Sequence, residues 1–384
     1  MKNENTVAVV VGTRPEAIKL APVVREIARR GVQTPLLVST GQHREMLDQA
    51  LGAFDLAPDV ELSVMRPGQE LPDLTARALE AMRDVLRAHR PRWVVVQGDT
   101  TTAFAAALAA FYERIPVAHV EAGLRSGERY APFPEEVNRR LVDQLSEVLF
   151  APTEPARRLL LREGFAPGAV HHTGNTVVDA LLAVRERLRR DPSAAPLPSS
   201  LSDGRVVLVT AHRRESFGEP LEAICRALVR VLRAHPDVKI VYPVHLNPNV
   251  NGPVRRLLGD EPRAVLLPPL SYLEFVALLD RADLVLTDSG GVQEEAPTFA
   301  KPLLVLRDVT ERPEGVEAGV ARLVGTDEET VFEETSRLLE DRGAYEAMTA
   351  GANPYGDGHA AERIASVLAR DPREATRDEA AEAA

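Results

Sequence analysis

Short apolar runs alternate with longer amphipathic segments along most of the chain. The run TVAVVV precedes the helical pattern AIKLAPVVREIARR, and WVVVQ precedes TTTAFAAALAAFYER. The runs are rich in β-branched residues and are too short for helices, whereas the longer segments repeat their apolar positions every three or four residues. This βαβ rhythm predicts an α/β fold whose parallel sheets are covered by helices on both faces.

The rhythm is interrupted between residues 189 and 204, where the sequence RRDPSAAPLPSSLSDG is rich in proline and serine. Such a composition is typical of a linker. The pattern then resumes with RVVLVT and VKIVYP. We therefore expect two doubly wound, Rossmann-like domains that face each other across a cleft: residues 1–188, a linker at 189–204, residues 205–365, and an acidic, frayed tail at 366–384.

Composition narrows the classes of function. The formal net charge of −11 disfavours a nucleic-acid partner, because nucleic-acid-binding proteins neutralise phosphates with a basic surface. Cys225 is the single cysteine, so no intrachain disulfide can form. The first apolar run, TVAVVV, is too short for a signal sequence or a membrane span. We expect a cytoplasmic protein with no membrane partner.

Charged and small residues collect at the predicted strand ends, where open α/β sheets bind ligands. In the first half these residues include Arg14, Asp99 and Glu121. Neighbouring strands lie about 4.8 Å apart, so we expect the two acids and the arginine in one crevice. The second half carries cations, imidazoles and glycines at its strand ends: His212, Arg213, His245, Asp288, Ser289, Gly290, Gly291 and Arg312. The first half is thus suited to proton transfer, and the second to holding an anion.

Several of these residues also have structural explanations. Asp99 is equally suited to capping the helix that follows it, and Glu135 follows a proline as a first-turn acid would. Ser289 is explained most simply as a helix cap. Glu121 gains nothing as a cap at the end of an apolar strand, which favours a functional role. The strand-end histidines lack the spacing of a metal site, and no GxxxxGK[ST] or GxGxxG motif follows a strand.

The motifs themselves resemble those of the non-hydrolysing UDP-N-acetylglucosamine 2-epimerases. They include GTRPEAIKLAP, TGQHREML, QGDTTT, HVEAGLRS, PFPEEVNRR, AHRRESFG, YPVHLNPNV, DSGGVQEEAP and RDVTERPEGVEAG. The resemblance implies a two-domain fold like that of the GT-B glycosyltransferases. It also implies that UDP-GlcNAc and UDP-ManNAc interconvert by anti elimination of UDP to 2-acetamidoglucal and syn re-addition, with no cofactor and no catalytic metal. The product would supply ManNAc units for surface polysaccharides.

By this resemblance the catalytic acids are Asp99, Glu121 and Glu135, while Lys19 and His212 orient the substrate or stabilise the departing diphosphate. The residues that it places around UDP are Arg14, His212, Ser289, Gly290, Gly291, Glu295 and Arg312. Bacterial members also bind a second UDP-GlcNAc as an activator, and the motifs associated with that site correspond here to Gln42, His43, Arg66 and Gln69. Family members are typically homodimers, so a homodimer is expected.

Three other functions are compatible with the same motifs. A hydrolysing 2-epimerase would release free ManNAc and UDP, a GT-B glycosyltransferase would need an acceptor, and a non-catalytic sensor would bind the nucleotide sugar unchanged. Hydrolysing enzymes usually depart from the HVEAGLR and PFPEEVNR patterns that this chain keeps. Neither a transferase nor a sensor explains three acids in one half of the chain. The sequence therefore favours epimerisation.

Overall fold

The structure is a computed structural model that describes residues 5–41, 44–66 and 68–376. These residues form two compact units. The first unit contains the described residues up to Ala183 and those from Tyr355 onward, and the second is Val184–Pro354. Each unit contains one parallel sheet with helices between its strands, which confirms the predicted α/β class.

The sheet of the first unit contains β1 (Thr6–Val11), β2 (Thr34–Ser39), β3 (Val60–Glu61), β4 (Trp93–Gln97), β5 (Val117–Val120), β6 (Val148–Ala151) and β7 (Val170–His172). Their order is β3-β2-β1-β4-β5-β6-β7, and the described pairings are parallel. Strand β1 is buried along its whole length because helices cover both faces of the sheet. The strand order reverses between β1 and β4, so the sheet leaves room for a ligand beside their carboxyl ends.

A helix follows each of these strands: α1 (Arg14–Arg30), α2 (Arg44–Gly52), α3 (Leu71–His89), α4 (Thr101–Tyr112), α5 (Glu135–Leu145), α6 (Glu154–Arg162) and α7 (Thr176–Arg190). The residues of α7 from Val184 onward belong to the second unit. Helix α4 has the sequence TTAFAAALAAFY, and all of its alanines are buried. Small side chains let this helix approach both the sheet and α3 closely. The result is a dense core beneath the ends of β1 and β4.

The second unit repeats this architecture with β8 (Arg205–Thr210), β9 (Val238–Pro243), β10 (Ala264–Leu267), β11 (Leu284–Thr287), β12 (Leu303–Val305) and β13 (Ala321–Leu323). The strand order is β10-β9-β8-β11-β12-β13. The helices are α8 (Glu219–Ala234), α9 (Pro248–Leu258), α10 (Tyr272–Arg281), α11 (Gly290–Glu295), α12 (Pro313–Glu317), α13 (Glu328–Glu340) and α14 (Arg342–Thr349). Among the described residues of both units, no helix combines the length and apolar character needed to cross a membrane.

The C-terminal segment packs on the first unit through α15 (Ala360–Leu368) and α16 (Pro372–Ala375). The carbonyl of Leu368 accepts two hydrogen bonds from this unit. Trp93 Nε1 donates at 3.0 Å, and Gln33 Nε2 donates at 2.8 Å. The apolar face of α15 is buried against the first unit, in contact with α1.

Asp179 of α7 fixes the start of α15. Its buried carboxylate accepts hydrogen bonds from the N–H groups of Ala360 at 3.2 Å and Ala361 at 2.8 Å. Residues 205–365 were predicted to form one domain, whereas the described residues from Tyr355 onward belong to the first unit, to which α15 is bound in this way. The assignment of separate functional roles to the two domains stays a prediction.

Replacing Asp179 with alanine should destabilise the first unit. The change leaves two buried N–H groups without their acceptor, so we expect the free energy of unfolding to fall by about 1–2 kcal/mol. The sequence has a single tryptophan, Trp93, which contacts the C-terminal segment, and its fluorescence during urea unfolding measures this change. Asp191→Ala is the matched control, because that exposed aspartate caps only a short turn at Ser193. An equal loss of unfolding free energy in both variants would contradict the proposal that Asp179 holds the start of α15 in place.

Candidate functional site

In the first unit, Glu121 follows the last residue of β5 and has a backbone φ of 69°. Positive φ values at residues other than glycine are uncommon and cluster at functional sites. Its buried carboxylate accepts hydrogen bonds from Lys19 Nζ at 2.7 and 2.8 Å and another from Gln97 Nε2. The structure thus brings together Glu121 and Lys19, both expected from the sequence, and adds Gln97 to them.

Asp99 lies just beyond β4, and 28% of its side chain is exposed. Its Oδ2 atom accepts hydrogen bonds from the guanidinium group of Arg139, with Nε at 3.1 Å. Asn138 Nδ2 donates to the Asp99 carbonyl at 3.0 Å. The capping role considered for Asp99 is filled instead by Thr100, whose Oγ1 accepts from the N–H of Ala103 at 3.0 Å. The Asp99 carboxylate is therefore available for another role.

Glu135 is the first residue of α5, one turn before Arg139, and its side chain is partly exposed. The hydrogen bonds between α5 and the residues after β4 hold this turn near the ends of β4 and β5. Glu136, by contrast, is buried and accepts from the N–H of Ser126 at 2.9 Å and from Arg140 Nε at 3.0 Å. The structure therefore separates two adjacent glutamates: Glu136 anchors the preceding loop, and Glu135 is left partly open to solvent.

Glu16 closes the turn after β1. Its buried carboxylate accepts from the N–H groups of Gly12 at 2.7 Å and Thr13 at 2.6 Å, and from Thr100 Oγ1 at 2.6 Å. Burial raises the pKa of Glu16, and these hydrogen bonds oppose the rise. A side-chain carboxylate thus occupies the amide groups that a phosphate-binding loop would offer to its ligand. Arg14, an expected UDP contact, is exposed at the start of α1.

In the second unit, Asp288 organises the ends of β8 and β11. It is fully buried, and its Oδ2 accepts from the N–H groups of His212 and Arg213, both at 2.7 Å. The His212 ring stacks on His245 with centroids 5.4 Å apart, and 42% of its side chain is exposed. The described residues contain no group of three or more His, Cys, Asp or Glu side chains arranged to hold a metal ion.

Ser289, Gly290 and Gly291 form the turn before and into α11. Within the described part of the chain, the Ser289 side chain accepts no hydrogen bond from this helix, so the simple capping explanation is not supported. A Cβ atom at Gly290 would lie 3.1 Å from Glu311 Oε1 and 3.4 Å from Arg213 Nη2. A larger residue at this position would require the Glu311 side chain to shift slightly, so glycine lets the turn approach this ion pair closely.

Arg312, the expected phosphate contact, is oriented by Glu294. The Nε of Arg312 donates to Glu294 Oε1 at 2.5 Å, and Glu294 is buried. Glu295, the residue expected beside UDP, is half-buried. Glu294 was not among the residues predicted from the sequence. The adjacent glutamates were visible in the motif, but which of them is buried depends on the packing of α11.

Glu311 lies between two arginines of the second unit. Its carboxylate accepts from Arg213 Nη2 at 2.9 Å and from Arg307 Nη1 at 2.5 Å. Partial burial alone would raise the pKa of Glu311, but a backbone hydrogen bond and the two guanidinium groups outweigh burial and lower it from 4.5 to about 2. This ion-pair group supports the loop beside Gly290 and was not foreseen from the sequence.

The structure describes two of the residues suggested for a second nucleotide-sugar site, Arg66 and Gln69. Gln42 and His43 lie outside the described residues. The N–H of Arg66 donates to Gln69 Oε1 at 3.0 Å, and the guanidinium of Arg77 donates to the same oxygen. These contacts attach the segment to α3, and the regulatory role stays a prediction.

Comparison with protein families and curated proteins gives consistent matches along nearly the whole chain. A family model described as UDP-N-acetylglucosamine 2-epimerase matches residues 25–369. The UDP-N-acetylglucosamine 2-epimerase of Escherichia coli (strain K12) is 52% identical over 367 residues, which cover 94% of this chain and 98% of that protein.

Solved structures lead to the same group of proteins. The UDP-GlcNAc 2-epimerase from Neisseria meningitidis, in a crystal structure bound to UDP-GlcNAc, is similar with a TM-score of 0.85 and 45% identity, covering 94% of this chain and 99% of that one. The crystal structure of a protein from Listeria monocytogenes, described as a UDP-N-acetylglucosamine 2-epimerase, is similar with a TM-score of 0.89 and 43% identity. The match covers 95% of this chain and 96% of that one. These likenesses confirm the GT-B-like fold class.

The ion pairs of Glu311 should make stability depend on acidic pH in a defined direction. Because the pKa of Glu311 is lowered on folding, its contribution is fully present above the ordinary value of 4.5 and is lost as the pH falls toward 2. The difference in thermal midpoint between the wild type and Glu311→Gln should therefore shrink over that interval. Glu317→Gln, which removes an exposed carboxylate at the end of α12, is the control. A difference that stays constant to the lowest measurable pH would contradict this assignment.

Proposed function

The chain belongs to the UDP-N-acetylglucosamine 2-epimerase family, and we propose that it interconverts UDP-GlcNAc and UDP-ManNAc without hydrolysing either. Membership makes it an isomerase that acts at C2 of the sugar. The arrangement of Asp99, Glu121 and Glu135 around the ends of β4 and β5 supports epimerisation over glycosyl transfer or simple binding. The HVEAGLR and PFPEEVNR patterns favour the non-hydrolysing reaction. Three carboxylates beside one sheet edge are more than nucleotide binding requires.

Inversion at C2 explains the need for several acids. The C2 proton is not adjacent to a carbonyl, so a base does not remove it from the ground state at a useful rate. Departure of UDP builds oxocarbenium character that acidifies this proton, and nearby negative charge stabilises the cation. Anti elimination then gives 2-acetamidoglucal, and UDP re-adds with syn geometry. Because a proton is removed from one face and delivered to the other, one carboxylate does not easily serve both steps.

In the proposed reaction, Asp99, Glu121 and Glu135 share proton transfer and stabilisation of the cation. Lys19 and Gln97 orient the Glu121 carboxylate through three hydrogen bonds. Asp99 is oriented by a single arginine and is more exposed, and Glu135 opens α5 with its side chain partly open to solvent. Fixed orientation matters because proton transfer requires the acid or base within hydrogen-bonding distance of the reacting atom.

Most of the residues proposed to contact UDP lie near strand ends of the second unit. Arg312 and the partly exposed His212 ring supply charge and N–H donors for the diphosphate, and Glu295 accepts from ribose hydroxyls. Burial of the Glu294 partner holds the Arg312 side chain in one orientation. The complete set proposed to contact UDP is Arg14, His212, Ser289, Gly290, Gly291, Glu295 and Arg312.

The wider proposal is that the protein acts in the cytoplasm as a homodimer and supplies ManNAc units for surface polysaccharides. These parts rest on the family resemblance of the motifs. Lys19 is proposed to help the diphosphate leave, since its ammonium group is already fixed beside the acids by Glu121. No nicotinamide or other cofactor is needed for an elimination and re-addition that leaves the oxidation state of the sugar unchanged.

Proton NMR of the protein with UDP-GlcNAc in D₂O tests the reaction directly. We expect UDP-ManNAc to appear with deuterium at C2, because the C2 proton exchanges with solvent during elimination and re-addition. Free ManNAc and UDP would instead identify a hydrolysing enzyme. An unchanged spectrum, despite binding of UDP, would favour a glycosyltransferase that lacks its acceptor or a sensor.

Neutral variants of the three acids test their assignment. Asp99→Asn, Glu121→Gln and Glu135→Gln should each lower kcat by about 10²–10⁴-fold, the usual effect of removing a general acid or base. Initial rates of UDP-ManNAc formation measure the change. Glu147→Gln is the matched control. Glu147 lies at the amino end of β6, whereas the proposed acids lie beyond the carboxyl ends of β4 and β5. A variant with wild-type kcat would remove its residue from the catalytic set.

A further inference from the structure

His119 lies in β5, two residues before Glu121, and its ring is fully buried. Both ring nitrogens have hydrogen-bond partners. Nε2 lies 2.8 Å from the carbonyl oxygen of Gly98, and Nδ1 lies 2.6 Å from Asp143 Oδ1. His119 therefore connects the end of β4 with helix α5, the two elements that carry Asp99 and its arginine partner.

The partners of the ring define where its protons are. A carbonyl oxygen only accepts, so Nε2 must carry a hydrogen and donate it to Gly98. Asp143 Oδ2 accepts from Arg125 Nη2 at 2.7 Å, and a carboxylate that pairs with a guanidinium group offers only an acceptor to Nδ1. Nδ1 must then donate as well. We infer that His119 is a buried imidazolium that positions the Gly98 turn for catalysis; this role rests on the proposed epimerase function.

The charges of the neighbouring side chains also favour an imidazolium at His119. Arg125 also binds Glu163, with Nε to Oε1 at 3.0 Å and Nη2 to Oε2 at 2.6 Å. An imidazolium completes an alternating series of two cations and two carboxylates: His119, Asp143, Arg125 and Glu163. A neutral ring would leave one net negative charge in a largely buried cluster, which is unfavourable without compensation.

The position of Gly98 gives the imidazolium its effect on the site. Gly98 has a φ of 71° and separates Gln97, which donates to Glu121, from Asp99, which binds Arg139. A fixed Gly98 carbonyl sets the direction in which both neighbouring side chains leave the turn. His119 touches no acid of the catalytic set through its ring bonds, so it is a positioning residue and not a catalytic one.

The charge of the ring can be measured by ¹⁵N NMR of histidine-labelled, deuterated protein at neutral pH. The sequence has nine histidines, and the His119 signals are assigned by their loss in His119→Gln. We expect both ring nitrogens of His119 to carry a slowly exchanging proton. A His119 ring with one bare nitrogen would overturn the imidazolium.

Kinetics of the full-length variants test the positioning role. His119→Gln keeps an amide donor for Gly98 but removes the charge, and His119→Phe removes both. We expect kcat to fall by up to about 100-fold, more in His119→Phe than in His119→Gln, with KM within about twofold of the wild type. His235→Gln is the matched control, since His235 is also buried and bonds Ser336 Oγ at 3.0 Å in the second unit. That variant should lose stability without a change in kcat.

Asp143→Asn provides a second variant, which removes the counter-charge while leaving the imidazole in place. It should show the same loss of kcat at nearly constant KM and one bare ring nitrogen. Wild-type kcat in folded His119 or Asp143 variants would overturn the positioning role. If the wild type itself does not epimerise UDP-GlcNAc, the proposed function and the positioning role both fail, whereas the NMR measurement still decides the charge of the ring.

Discussion

The candidate acids of the first unit depend on the parallel register of β1, β4 and β5. Val7 pairs with Trp93, and Gln97 pairs with Val120, so the three strands end at the same edge of the sheet. Gln97 then lies one residue from register with Glu121 and can donate to its carboxylate. A slip of one residue would turn the Gln97 side chain to the opposite face and break this contact.

Pairing of opposite charges explains how so many ionised groups are tolerated near these edges. Glu121 is paired with Lys19, Asp99 with an arginine of α5, and Arg312 with the buried Glu294. Buried ion pairs contribute little net stability, because desolvation offsets much of their attraction, but removal of one partner leaves an uncompensated charge. We therefore interpret these pairs as devices that fix side-chain direction, which is what proton transfer and diphosphate binding require.

Much of the fold and part of the site could be predicted because they depend on local patterns. Buried parallel strands are recognisable as apolar runs, and Glu121 stood out because an acid at such a strand end has no local structural use. Which side chain pairs with which acid was not predictable, because Lys19 and Glu121 are 102 positions apart and Asp99 and Arg139 are 40 apart. The attachment of the segment after Tyr355 to the first unit also depends on long-range packing.

The two units share a feature that bears on where an anion binds. In many dinucleotide-binding folds the turn after the first strand holds the pyrophosphate through its amide groups. Here the amide groups after β1 bind the carboxylate of Glu16, and those after β8 bind Asp288. Both first turns are thus occupied by side chains of the protein itself. The proposed diphosphate site therefore depends on side-chain cations and on the turn at Gly290, which is consistent with the proposed release of UDP from the sugar and its return.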